Sequence, residues 1–143
     1  MATLIFVNLP VKDLEKSKAF FSHLGYSFNP QFSDEKAACL VISETIYAML
    51  ITEPFFQTFV PSKTIANAHK TSEVLVCLSA DSREAVDEKV KLALEAGGFV
   101  HRPPQDHGFM YEHSFQDPDG HIWEFMWMDP NYVQKPEATM AEA

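Results

Sequence analysis

Apolar positions along the chain follow two periodicities that alternate in a fixed order. Residues 4–11 (LIFVNLPV) are an apolar run of strand character, and from Asp13 the spacing opens to Leu14, Phe20, Phe21 and Leu24, one stripe of a helix. Asp13 suits the cap of that helix and Gly25 its stop. Three short strands are predicted next, over 26–32, 36–43 and 46–52, the last two separated by the polar pair Ser43-Glu44. The first part of the chain therefore reads βαβββ.

A connecting stretch over 53–72 follows, and then the same order returns. Residues 73–79 form a strand pattern, and Asp81 with Glu84 makes a capping pair for a helix with a Val86, Val90, Ala93, Leu94 stripe. That helix is closed by Gly97-Gly98. Residues 99–102, 109–115 and 122–128 supply three more strands. A lone βαβββ unit has a sheet face it cannot cover, so two in one chain predict an α+β fold of tandem βαβββ modules. Curved mixed sheets are expected around a central cavity, with one helix outside each sheet. We read residues 1–143 as a single domain: module 1 about 4–52, connector 53–72, module 2 about 73–128, and a polar, Ala-rich tail at 129–143, expected to be mobile or draped over a partner chain.

Composition narrows the function. The 143 residues are 46% hydrophobic and carry a formal charge of −9 without a basic cluster, which argues against nucleic acid and anionic membrane as partners. No apolar stretch approaches the ~20 residues needed to span a bilayer, and the start lacks a signal-peptide pattern. Cys39 and Cys77 read as reduced core thiols, and a cytoplasmic location is expected.

One carboxylate stands out. Glu124 sits mid-strand, with Trp123, Phe125 and Trp127 on one side of the alternation and Ile122, Met126 and Met128 on the other. In the preceding turn, Asp117-Pro118-Asp119-Gly120, the placement of Pro and Gly favours a type I turn with a G1 bulge over a plain loop. That register pairs Glu124 with Ser114 and puts Glu112 and Met110 on its face, whereas a plain loop would bring His113 there. Alternation along the other strands places Glu73 and Cys77 together, and likewise Phe6 and Asn8. Glu73, Glu124, Asn8 and Glu112 are thus expected to converge in a hollow lined by apolar residues, Met126 among them. A buried carboxylate needs a divalent cation, a shared proton or a donor network as compensation. His107, in the loop RPPQDHGFMY, belongs to a plain surface loop or to a lid over the hollow, the surface loop being the preferred reading; His121 and His23 read as structural.

The paired modules, the segment FVNLPVKDLEKSKAFFSHLGYSF and the closing FQDPDGHIWEF resemble the vicinal oxygen chelate superfamily, which includes glyoxalase I, extradiol dioxygenases and the fosfomycin and bleomycin resistance proteins. The likeness spans about residues 4–128. It implies metal ligands at Glu124 and Glu73, while Phe6 and the apolar strand 46–51 stand where two further ligands would be. That set argues against glyoxalase I activity itself. The resemblance implies a glyoxalase- or dioxygenase-like small-molecule enzyme with Glu124 and Glu73 catalytic, and their hard oxygen ligands would favour Mg²⁺, Mn²⁺ or Fe²⁺. The strand register adds Asn8, Phe6, Glu112, Ser114 and Met126, and the loop His107, as ligand-binding candidates. The alternative it offers is a drug-sequestering binder without chemistry. A homodimer is expected in either case.

Overall fold

The computed structural model describes residues 1–132; most of the predicted tail lies outside them. Strand β1 (Ile5–Val11) leads into helix α1 (Leu14–His23), then β2 (Ser27–Asn29), a 3₁₀ turn (Pro30–Phe32), β3 (Ala37–Val41) and β4 (Ile46–Thr52). Helix α2 (Glu53–Phe59) follows. The second half comprises β5 (Leu75–Ser79), α3 (Arg83–Glu95), β6 (Phe99–Val100), β7 (Gln105–Asp106), β8 (Met110–Gln116) and β9 (Ile122–Met128). The first sheet is ordered β1-β4-β3-β2 and the second β5-β9-β8 with β6 and β7 along its edge. In each sheet the first and last strands of the module, β1 with β4 and β5 with β9, pair in parallel and the rest antiparallel. The mixed α+β architecture expected from the repeat is the one observed.

Local chemistry sets the boundaries. Asp13 is extended and its carboxylate accepts the Lys16 N–H, while Gly25 leaves α1 at φ 98°. In α3 the cap is Ser82, which accepts from Ala85 N, one residue beyond the Asp81 expected. The strand expected over 26–32 is cut short because the Asn29 side chain caps the Pro30 turn. The connector is not wholly irregular. Pro54 starts α2, which packs on β1 and β4.

The core runs without a break through both modules. Leu9, Val11, Phe20, Phe21, Leu40 and Leu50 from the first meet Val86, Val90, Phe115, Trp123 and Phe125 from the second. Phe20 lies 5.8 Å from Phe115 and Phe21 packs edge-on to Trp123 at 5.0 Å. This interior is on the helix side of both sheets, where α1 and α3 also touch. Polar ties cross the same junction. Lys89 Nζ donates to the Leu24 carbonyl at the end of α1, and Asp119 accepts from Lys12 N and Ser17 Oγ.

The opposite sheet faces stay largely open, although Ala37, Cys39 and Ile51 are buried on that side of the first sheet. Phe6 is 45% exposed and Leu75 53%, with Phe99 and Met128 exposed beside them. Cys77 lies on this open face, so only Cys39 is the buried thiol expected of both.

The edge of the second sheet holds an irregularity that matters below. Val100 pairs with Phe115 and Gln105 with Glu112, so five steps along the edge oppose three along β8. Where one strand over 99–102 was expected, the edge is interrupted instead, and two extra residues lift 101–104 into an arch. Such an excess bends a strand and re-aims its side chains.

Candidate functional site

The turn before β9 fixes the site. Gly120 takes φ 88°, its N–H reaches the Asp117 carbonyl at 2.9 Å, and Asp117 N donates to His121 O at 2.9 Å. The buried Asp117 carboxylate accepts from Asp119 N, His121 N and Trp123 Nε1. Burial pushes that carboxyl above its usual range, against the pull of His121 and the Trp123 donor. A Cβ on Gly120 would come within 2.7 Å of His69 N, so glycine also lets the connector close over the turn. The resulting register pairs Ser114 with Glu124, as the bulged turn requires.

Glu124 is 9% exposed. Its nearest cation is Arg102, whose Nη2 is 4.0 Å from Glu124 Oε2 and makes a close ion pair with Glu112 Oε1. Arg102 comes from the arch, and its guanidinium is the compensation that the sequence left open among ion, proton and donor network. Cys77 is opposite Glu124 on β5. Partial desolvation of the sulfur, and then the charges of Glu124 and Glu112, hold its thiol above its ordinary pKa, which suppresses the reactive thiolate. Ser114 is buried beside this group, and Met126 follows Glu124 on the same face. The group thus offers two carboxylates and one guanidinium, one negative charge in excess, on an apolar open face.

Glu73 does not join it. It is exposed and precedes β5, and with Cys77 aligned to Glu124 it lies four residues upstream of the level of Glu124. That offset is ~13 Å along a strand. Glu73 instead lines, with Asn8, a cleft of about 380 Å³ between β1, residues 60–74 and Gly120–Ile122. The expected convergence of four polar residues therefore resolves into two groups, Glu124 with Glu112 and Glu73 with Asn8. Asn8 Nδ2 makes a long 3.5 Å contact to the Phe6 carbonyl, and the Phe6 ring stacks on Tyr47 at 4.9 Å.

A divalent ion needs more hard donors than this. Among the described residues no three His, Cys, Asp or Glu side chains cluster to hold a metal, Glu73 is out of reach, Phe6 offers no donor, and Arg102 already engages the Glu112–Glu124 pair. The residues present do not fit the metal that the resemblance implies.

His107 is exposed in the β7–β8 loop, beyond the far end of the Glu124 face. The loop is tied down, contrary to a free lid. Arg83 Nη1 and Nη2 bind Asp106 at 2.8 and 3.0 Å, Nη2 also donates to Gly108 O at 2.8 Å, and the guanidinium lies over the Tyr111 and Trp127 rings. His121 Nε2 meets the Pro10 carbonyl at 2.7 Å and braces β1 against the hairpin. The site residue that sequence reasoning missed is Arg102; its one signal was that it is one of two arginines in the chain, set directly before Pro103-Pro104.

Residues 3–43 match the family model described as bleomycin resistance protein-like N-terminal. No curated protein matches the chain. Among solved structures, the S. aureus hypothetical protein SA1046 is 32% identical, with a TM-score of 0.73 over 89% of this chain and 95% of its own. A glyoxalase/bleomycin resistance protein/dioxygenase family enzyme from Burkholderia phytofirmans PsJN is 20% identical, with a TM-score of 0.72 over 89% and 99%. TnmS3, an antibiotic binding protein from Streptomyces sp. CB03234, shares the fold at 18% identity and a TM-score of 0.64, over 90% and 97%. Among the described residues no helix is long and apolar enough to cross a membrane. With its duplicated βαβββ modules and its Asp117–Glu124 turn and strand, the chain carries a bleomycin resistance protein-like N-terminal segment and has the fold of the glyoxalase/bleomycin resistance/dioxygenase proteins.

Proposed function

We propose that this protein binds a small organic molecule combining an apolar body with one positive charge, in a cup that a second copy of the chain completes. The observation that carries the reading is the Glu112–Glu124–Arg102 group. Two sparingly exposed carboxylates face one guanidinium, which marks a sheltered anionic position suited to a cationic group. Around it, Leu75, Met126, Met128 and Phe99 offer apolar contact. A face of this kind on an isolated chain points to a partner surface, and the repeat gives a second copy a matching open face at Phe6 and Tyr47. The antibiotic-binding TnmS3 has the same fold, which is consistent with a binder on this scaffold. The metal-assisted enzyme reading is less well supported, because it requires a donor set that these residues do not supply.

Calorimetric titration with phenethylammonium, and with neutral phenethyl alcohol as control, tests the reading. The cation is expected to bind and the alcohol to bind at least tenfold more weakly. Glu124→Gln is expected to weaken the cation by about tenfold while leaving the melting temperature equal or higher, since a sparingly exposed charge is removed. Equal affinity for cation and alcohol, or a stoichiometric divalent ion lost on Glu124→Gln, would overturn it.

A further inference from the structure

The arch at 101–104 carries an inference about how the site is entered, and it rests on the cation-binding reading above. Arg102 Nη2 occupies the space between Glu112 Oε1 and Glu124 Oε2, the most sheltered anionic position on the open face. The carboxylates are sheltered but the cation is not: the Glu124 and Glu112 side chains are 12% and 16% exposed and that of Arg102 46%. Ladder pairs hold the arch on both sides, Val100 to Phe115 and Gln105 to Glu112. Beyond Gln105, the Arg83–Asp106 pair anchors the chain to α3. Between these fixed points lie the two extra residues, so the arch can change shape without breaking the ladder that positions Glu112.

We infer that Arg102 is a built-in plug, a displaceable counter-ion that keeps Glu112 and Glu124 compensated in the free protein and yields its place to the cationic group of the ligand. The exchange conserves charge at the buried carboxylates. It also sets a threshold: a ligand must bring both a cation able to replace the guanidinium and enough apolar surface to offset the lost ion pair. Metal-like small cations meet the first condition and fail the second. The Pro103-Pro104 pair restricts the arch to a few extended conformations, which limits how Arg102 swings away.

The deciding measurement uses the unmodified protein. The Nε–Hε resonance of Arg102 is followed by NMR during titration with phenethylammonium and with sodium chloride at matched ionic strength. The expected result is a shift of that resonance toward the position of a free, solvated guanidinium, saturating with the probe and not with salt. A resonance that stays put while the probe binds overturns the plug and leaves the proposed function intact. No binding at all removes both.

Two variants extend the test. Arg102→Gln is expected to bind the probe roughly fivefold tighter, the factor corresponding to one half-exposed ion pair. Arg102→Lys keeps the charge and is expected to stay within about twofold of the parent. Weaker binding by Arg102→Gln would make Arg102 a ligand contact and overturn the inference.

Discussion

At the residue scale, the protein contrasts two buried carboxylates that are settled by different means. Asp117 accepts from two N–H groups of its own turn and from the Trp123 indole, whereas Glu124 depends on a guanidinium from the arch on the sheet edge. Removing the first strands its donors: Asp117→Ala is expected to cost about 3 kcal/mol, read from urea denaturation, because each orphaned buried donor is penalised by about 1–3 kcal/mol. Asp117 and Gly120 were legible in the sequence because a turn is a local contract between neighbours. Arg102 was not. Its meeting with Glu112 and Glu124 depends on how many residues the edge strand has in excess of β8, and that count exists only once the two are paired. The same holds for Glu73, whose separation from Glu124 is set by the parallel register of β5 on β9.

At the element scale, periodicity identified most of the strands and both long helices, and it missed the short pieces. The segment EPFFQTF has three phenylalanines and too few turns to show a helical period, so only the structure reveals α2. It likewise missed β7, which two residues cannot announce. Yet β7 and its loop are firmly held, through Arg83. The hydrogen bonds from Arg83 and from the Gly108 N–H keep the Asp106 carboxyl below its ordinary pKa. A carboxyl lowered on folding stabilises at pH above its unfolded value and loses that contribution as pH falls through its folded value. The loop is therefore expected to loosen only in acid, below the usual Asp range, seen as faster amide exchange at Gly108. Arg83→Gln is expected to give fast exchange at every pH.

At the scale of the whole molecule, the shared core explains why the halves act as one body although each repeats the other. Aromatic contacts from α1 to β8 and β9 fill the interior on the helix side, and the faces left over are the ones that carry Phe6, Leu75 and Glu124. That the repeat would leave sheet faces to be covered was readable from the sequence; which faces the chain covers by itself was not, since it depends on how the two modules dock. If a second copy covers them, sedimentation is expected to give a dimer, and Leu75→Asp a monomer with unchanged helical circular dichroism. A monomeric parent would remove the dimer from the proposal. The arch on the second sheet has a further effect, unconnected with ligand. An unbroken outer strand would present a straight row of amides and carbonyls on which another molecule could add its own strand, the first step toward polymeric aggregates. Two surplus residues ending in a proline pair spoil that template, so the same detour that brings an arginine inward also keeps neighbouring molecules from knitting together at high concentration.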